Sequence, residues 1–441
     1  MKKQEKSERK NLNKKKNIIM QRNTKGITLI ALVVTIIILI ILSGVSINLV
    51  LGENGIVTIA KRAKENTEIA KVEEETMLNE LAKQIEEGTS GGTTNPPVEK
   101  SEIEKSRDAG TYMTALTTLE DSNGNKIKVP QGFKIAEDSG INVTEGIVIE
   151  DNDIIDGIGN NKGNQYVWIP VGTGIKKADG SSVDITLGRY VFADGEDDKA
   201  EDGTTVLAKG TPTLKQNAEN YADEVLIEHE DEVEYKELAT SRTGVASEGA
   251  DGLNTTALNL KGFVDSVKTN GGYYIARYEA SYGTDGKANS KVSNSFIDTY
   301  TAPTTEGTLW NYITQIDAAT ASRNLYEAVT TDLINSYAWD TAIVYIQEFS
   351  GDTDYSRQDG YSINSSLTNT GVNGDEVCKI NDMASNVSEW TTEYSTVIGS
   401  YFAFPCTDRG GYYGESDGYT SFHECIDAMA KENTFRTTLY M

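Results

Sequence analysis

The sequence predicts an α+β protein carried on a long amino-terminal helix, and three observations predict it. A run of 25 residues, Ile27 to Leu51, contains no charge. Beyond residue 126, strand-length apolar runs alternate with gaps rich in Gly, Asn and Asp, and two further segments repeat their apolar residues at helical spacing.

Taken in order, residues 1–26 hold ten Lys or Arg against Glu5 and Glu8, a net of +8 in a chain of formal charge −26, so −26 less +8 leaves −34 on the remainder. The uncharged run 27–51 spans roughly 37 Å as a helix, enough to cross a bilayer. Cations ahead of it hold the amino terminus in the cytoplasm and place everything after Leu51 outside. An ordinary signal anchor has the same hydropathy, but no Ala-x-Ala site follows the apolar run, which argues against simple secretion.

Past the break Gly52-Glu-Asn-Gly55, Ile56, Ile59, Ala63, Ala70, Met77, Leu81 and Ile85 recur at helical spacing, so 52–87 reads as an amphipathic stalk with a solvated charged face. The stretch 88–125 opens with Gly88-Thr-Ser-Gly-Gly-Thr-Thr-Asn-Pro-Pro97 and reads as a linker to an outer domain, 126–441. There, Lys126–Pro130, Gly146–Glu150, Tyr166–Pro170 and Tyr273–Arg277 are expected strands; Trp310–Tyr326 and Leu333–Phe349 are expected helices. Between Asp194 and Glu237, fifteen acids face four Lys, so an exposed acidic insertion is expected near 190–255.

Composition narrows the function. A charge of −26 repels a phosphate backbone, so no nucleic-acid partner is expected. Three Cys with no C-x-x-C pair disfavour structural zinc, and two His, His229 and His423, remove most histidine-dependent metal chemistry. Asp382 and Glu389 flank the small residues Ala384 and Ser385, a spacing suited to a tight loop whose carboxylates and carbonyls converge, as calcium requires. The alternative is that Glu389 pairs with an arginine such as Arg409 and no metal is needed.

Two resemblances sharpen this reading. Lys25-Gly26-Ile27-Thr28-Leu29-Ile30 resembles the class III signal of type IV prepilins. It implies that prepilin peptidase cuts after Gly26 and that Ile27 becomes the methylated first residue, the helix being kept as membrane anchor. The family's glutamate at the fifth mature position is Ala31 here, so the charge that registers one pilin subunit against its neighbour is absent.

In the outer domain, Asn381-Asp-Met-Ala-Ser-Asn-Val-Ser-Glu-Trp390, Asp408-Arg-Gly-Gly-Tyr412 and Thr434-Phe-Arg-Thr-Thr-Leu439 resemble, in order, the signatures of formylglycine-generating-enzyme-like (sulfatase-modifying factor) domains. The resemblance covers roughly 126–441 and implies a C-type-lectin-like fold. It implies calcium held by the Asp382 and Glu389 side chains and the Ser385 and Val387 carbonyls, with Ser385 standing where the family has Gly. The family's active-site cysteines follow its R-G-G motif closely, whereas Arg409 to Gly418 contains no Cys, so the domain is not expected to be an enzyme. In folds of this kind the segment after R-G-G forms the binding face. Here that is Tyr412, Tyr413, Glu415, Asp417, Tyr419, Phe422, His423 and Glu424, suited to an extracellular protein or carbohydrate ligand. Cys406 with Cys425 would staple this face in an oxidising exterior; Cys378 with Cys406 is the other pairing.

The expectation is thus a membrane-anchored, cell-surface protein whose head binds a ligand or serves adhesion. Two other roles stay open: a minor pilin or pseudopilin assembling with other pilin subunits in a filament, and, less favoured, a thiol-oxidising enzyme.

Overall fold

The computed structural model describes residues 99–441 apart from 153–162, 196–197, 201, 219–223, 229–232, 239–256, 284, 300, 373, 398–405, 415–417 and 427–431. The leader 1–26, the apolar run 27–51 and the stalk 52–87 lie outside the described residues. Among the described residues no helix is long and apolar enough to cross a membrane.

Residues 99–441 form one compact unit of mixed α/β structure with mostly strands. One six-stranded sheet runs in the order Thr330–Leu333, Thr437–Tyr440, Gly272–Ala276, Gln165–Pro170, Val148–Glu150, Lys134–Ile135, with antiparallel neighbours throughout. Its two middle strands, Gln165–Pro170 and Gly272–Ala276, are buried at every position, which is why they read as continuous apolar runs rather than alternating ones. Their register sets Trp168 against Tyr274, whose rings meet edge to face at 4.9 Å.

The helix Ser336–Ser350 is buried except at Glu348 and Ser350. Asn335 caps it, its side chain accepting the Ala338 amide at 3.0 Å, and Gly351 ends it at φ +80°. The second sheet runs Glu224–Glu228, Val233–Leu238, Glu389–Val397, Cys406–Arg409, His423–Ile426, with Thr434–Phe435 added parallel to Glu389–Trp390. Trp390 is wholly buried there and donates its indole N–H to the Ile313 carbonyl at 2.9 Å.

Several boundaries differ from those read off the sequence. The stretch 99–125, expected as linker, belongs to the folded unit: Glu102–Ala109 is a helix closed by a Ser101/Glu104 capping box, with Ile103 wholly buried, and Thr117–Glu120 pairs with Lys126–Val129. Only Gln315–Ser322 of the expected helix 310–326 is helical, because Thr314 caps it late and Tyr312 and Asn324 take left-handed φ of 55° and 56°. A helix at Leu260–Asn270 went unforeseen, although Leu260, Phe263, Val264 and Val267 fit the spacing and Gly271 follows at φ +77°. The acidic stretch is not simply an exposed insertion: Val233–Leu238 pairs with Glu389–Val397, and Glu237 is wholly buried.

Candidate functional site

The second sheet delivers the Arg409-Gly-Gly turn to the end of the strand Cys406–Arg409. Both glycines are required. Gly410 sits at φ +94°, and a Cβ on Gly411 would fall 1.9 Å from the Ala384 carbonyl oxygen. The turn therefore lies directly on the loop 382–388, and Tyr413 fastens it further by donating its amide to the Asn386 carbonyl at 3.0 Å.

Arg409 itself is wholly buried. Its guanidinium reaches Asp340 Oδ1 at 2.6 Å and Glu393 Oε2 at 3.4 Å, and its Nε–H donates to the Phe422 carbonyl at 3.0 Å. A second buried guanidinium, Arg189, pairs with the other Glu393 oxygen, and burial pulls its pKa down to about 10. Beside them Glu237 accepts from Ser336 and Thr392, and burial raises its pKa. His423 closes the network: its Nδ1 lies 3.1 Å from Glu393 Oε2, its ring packs 4.7 Å from that of Tyr235, and its side chain is only 10% exposed. Arg409 thus holds structure together from inside and presents no charge to a ligand.

A second buried ionic cluster lies under the loop 375–389. Glu279, Asp375, Asp382 and Glu389 are all buried around the one guanidinium of Arg436. Arg436 Nε and Nη2 hold Glu389 at 2.6–3.2 Å, while Nη1 and Nη2 also donate to the Ala276 and Asn381 carbonyls. Glu279 accepts from the Asn386 side chain at 2.5 Å and the Val387 amide at 3.1 Å. Asp375 accepts from the Ala384 amide and the Ser385 hydroxyl. Asp382, at φ +63°, accepts from Thr370 and Gly371 on Oδ2, while its buried Oδ1 has no hydrogen-bond partner.

This arrangement bears on calcium. Glu389 has committed both oxygens to Arg436, leaving Asp382 as the one side chain of the four residues with an unfilled oxygen. Among the described residues no group of three or more His, Cys, Asp or Glu gathers to hold a metal. Asp382, Ser385, Val387 and Glu389 as placed do not fit a calcium ion, which asks for six to eight oxygens. Arg436 supplies the loop's cation instead, so adding EDTA is expected to leave the thermal midpoint unchanged in a calorimetric scan. A fall restored by calcium would contradict this.

The expected binding residues divide into three groups. Tyr412, Tyr413, Tyr419 and Phe422 are half-buried at the surface and Glu424 is exposed. The Tyr412 and Tyr413 rings meet at a tilt of 48° with centroids 4.6 Å apart, the Tyr412 hydroxyl meets Glu432, and Tyr419 lies under Arg357 at 5.4 Å. His423 turns inward, as described. Glu415 and Asp417 lie outside the described residues.

The staple expected between Cys406 and Cys425 would join residues one position out of register, since Cys406 stands opposite Ile426 and Cys425 opposite Thr407. Cys378 forms no disulfide; its thiol donates to the Thr144 carbonyl at 3.7 Å, and burial pushes its pKa up to about 12. Compared with protein-family models, curated proteins and solved structures, the chain gives no match.

Sequence reasoning overlooked Asp340, Glu393 and Arg189, whose partnership with Arg409 spans 16 to 220 residues of chain and leaves no local pattern.

Proposed function

We propose that the chain is a membrane-anchored, prepilin-processed surface protein whose outer unit is a non-catalytic head that binds an extracellular protein or carbohydrate ligand. The observation that carries the reading is the division of labour around the Arg409 turn. The conspicuous charged residues, Arg409, Asp340 and Glu393, are spent on one another in the interior, and His423 joins them through Glu393. What the turn offers to solvent is tyrosine surface, which gives large contact area at low entropic cost together with a hydroxyl.

The anchor rests on the uncharged run 27–51 behind ten cations, and the processing on Gly26-Ile27. The absence of Cys from Arg409 to Gly418 supports the non-catalytic reading. Cells carrying the intact gene are expected to bind an immobilised extracellular-matrix or glycan surface more than a deletion strain does. Tyr412→Ala with Tyr413→Ala should abolish the difference without lowering surface abundance. Equal binding by all three strains, or copper-dependent oxygen uptake with a cysteine peptide, would contradict the reading.

A further inference from the structure

The surface beyond the Arg409 turn is wider than segment 412–424, because a second stretch, 357–363, is locked to it. Gly360 donates its amide to the Gly418 carbonyl at 3.4 Å, and a Cβ at Gly360 would stand 2.8 Å from the Tyr412 amide nitrogen. Asp359 bridges backbone to backbone with Tyr419. The short helix Gly360–Ile363 then carries Tyr361, 48% exposed, next in sequence to the glycine that meets Tyr412. Two separate segments thus place four tyrosines, 361, 412, 413 and 419, around one glycine junction.

Among the described residues of 357–363 and 412–424, the formal charges are those of Arg357, Asp359 and Glu424. Arg357 is fully engaged: it pairs with Asp194 at 2.7 Å, donates to the Phe192 and Ala193 carbonyls and covers Tyr419. The carboxylate of Asp359 caps the short helix through Ser362, and that of Glu432 meets the Tyr412 hydroxyl; Glu424 is exposed further along the chain. Aromatic faces and carboxylates attract ammonium and guanidinium groups, through the ring quadrupole and through Coulomb attraction. Anionic glycans and acidic lipid surfaces are repelled by the same carboxylates and by a chain of net charge −26.

We propose that this surface docks a Lys- or Arg-bearing segment of a protein partner, with its cations over Tyr361 and Tyr413 and against the carboxylates of Asp359 and Glu432. The inference rests on the recognition reading above and names its ligand class.

The test uses the full chain in detergent and a fluorescent oligolysine peptide, its Nε-acetylated copy, and maltoheptaose as neutral sugar. Oligolysine should bind in a salt-sensitive way and the acetylated copy at least roughly tenfold more weakly. Tyr361→Ala and Tyr413→Ala should each weaken oligolysine roughly three- to tenfold, and Tyr361→Phe, which keeps the ring, should not. Asp179→Asn and Asp202→Asn, exposed acids on other turns, serve as controls. If they weaken binding as much as Tyr361→Ala, the attraction is only bulk charge and the inference falls. If maltoheptaose alone binds, and loses affinity in Tyr361→Ala, the surface recognises ligands but not cationic ones, so this inference falls while the recognition reading stands. If neither oligolysine nor maltoheptaose responds to Tyr361→Ala or Tyr413→Ala, both fall.

Discussion

Arg409→Leu is expected to destabilise the outer unit by about 3–5 kcal/mol, the range for removing one partner of a buried ion pair. The loss leaves Asp340 without the guanidinium it holds at 2.6 Å and leaves Glu393 to Arg189 and His423 alone. Asp340 is wholly buried, and the Arg409 guanidinium packs over the Trp339 ring at 5.8 Å; Arg189 still acts on Asp340 but is itself held by Glu393, so it offsets the loss only in part. A domain of this size has a total stability of only about 5–15 kcal/mol, so the variant should unfold at markedly lower urea. Trp339 lies beside the substituted residue, so tryptophan fluorescence follows the transition directly. Arg409→Lys should recover part of the loss by restoring charge to Asp340, though a single ammonium cannot also span Glu393 and the Phe422 carbonyl. An unchanged urea midpoint in Arg409→Leu would show that the turn is not held from inside.

Arg436→Leu is expected to be at least as damaging. It removes the one guanidinium from among Glu279, Asp375, Asp382 and Glu389 and strips donors from the Ala276 and Asn381 carbonyls. Even with Arg436 present the cluster is rich in carboxylates, and burial raises the pKa of each of them. Asp375 is pushed up to about 7, chiefly by burial and then by Asp382. Glu279 is raised well above the usual carboxylate range, by burial first and then by the charges of Asp382 and Glu389. An acid whose folded pKa exceeds its unfolded value stabilises the fold fully below that unfolded value and loses the contribution as pH rises through the folded one. The thermal midpoint should therefore be higher at about pH 5 than at about pH 8. Asp375→Asn, which keeps shape without the titration, should shrink the difference. A midpoint that rises between those two pH values would contradict the sign.

The strands 165–170 and 272–276 were legible because both are buried on both faces, so their apolar runs are unbroken. The helix Ser336–Ser350 was legible from its spacing. Helix 310–326 was read too long because apolar periodicity says nothing of a cap: Thr314 starts the helix by bonding the Asp317 amide, and Tyr312 before it turns left-handed. The helix 260–270 carried every cue, but it follows the acidic stretch that had been assigned to an insertion.

At the site, the loop 382–389 and the Arg409 turn were visible as lettering, and their contact was not. Glu389 illustrates the limit. Arg409 stands opposite it in the strand register, as the sequence alternative supposed, yet its guanidinium goes to Asp340 and Glu393, and Arg436 takes Glu389. Choice of partner between two buried arginines is decided by tertiary placement, which no spacing encodes. Tyr361 was missed for the same reason: it joins the tyrosine surface through the close approach of Gly360 to Tyr412, across about fifty residues of chain.

The central claim is that the apolar amino-terminal run stays with the mature molecule and holds the head outside the cell. Protease shaving of intact cells, followed by mass spectrometry of the released and membrane fractions, tests it most directly. Peptides from 99–441 should be released by the protease, and the membrane should retain a peptide that begins at methylated Ile27. Recovery of the head in untreated medium without 27–51, or a head that intact cells protect from the protease, would contradict the account.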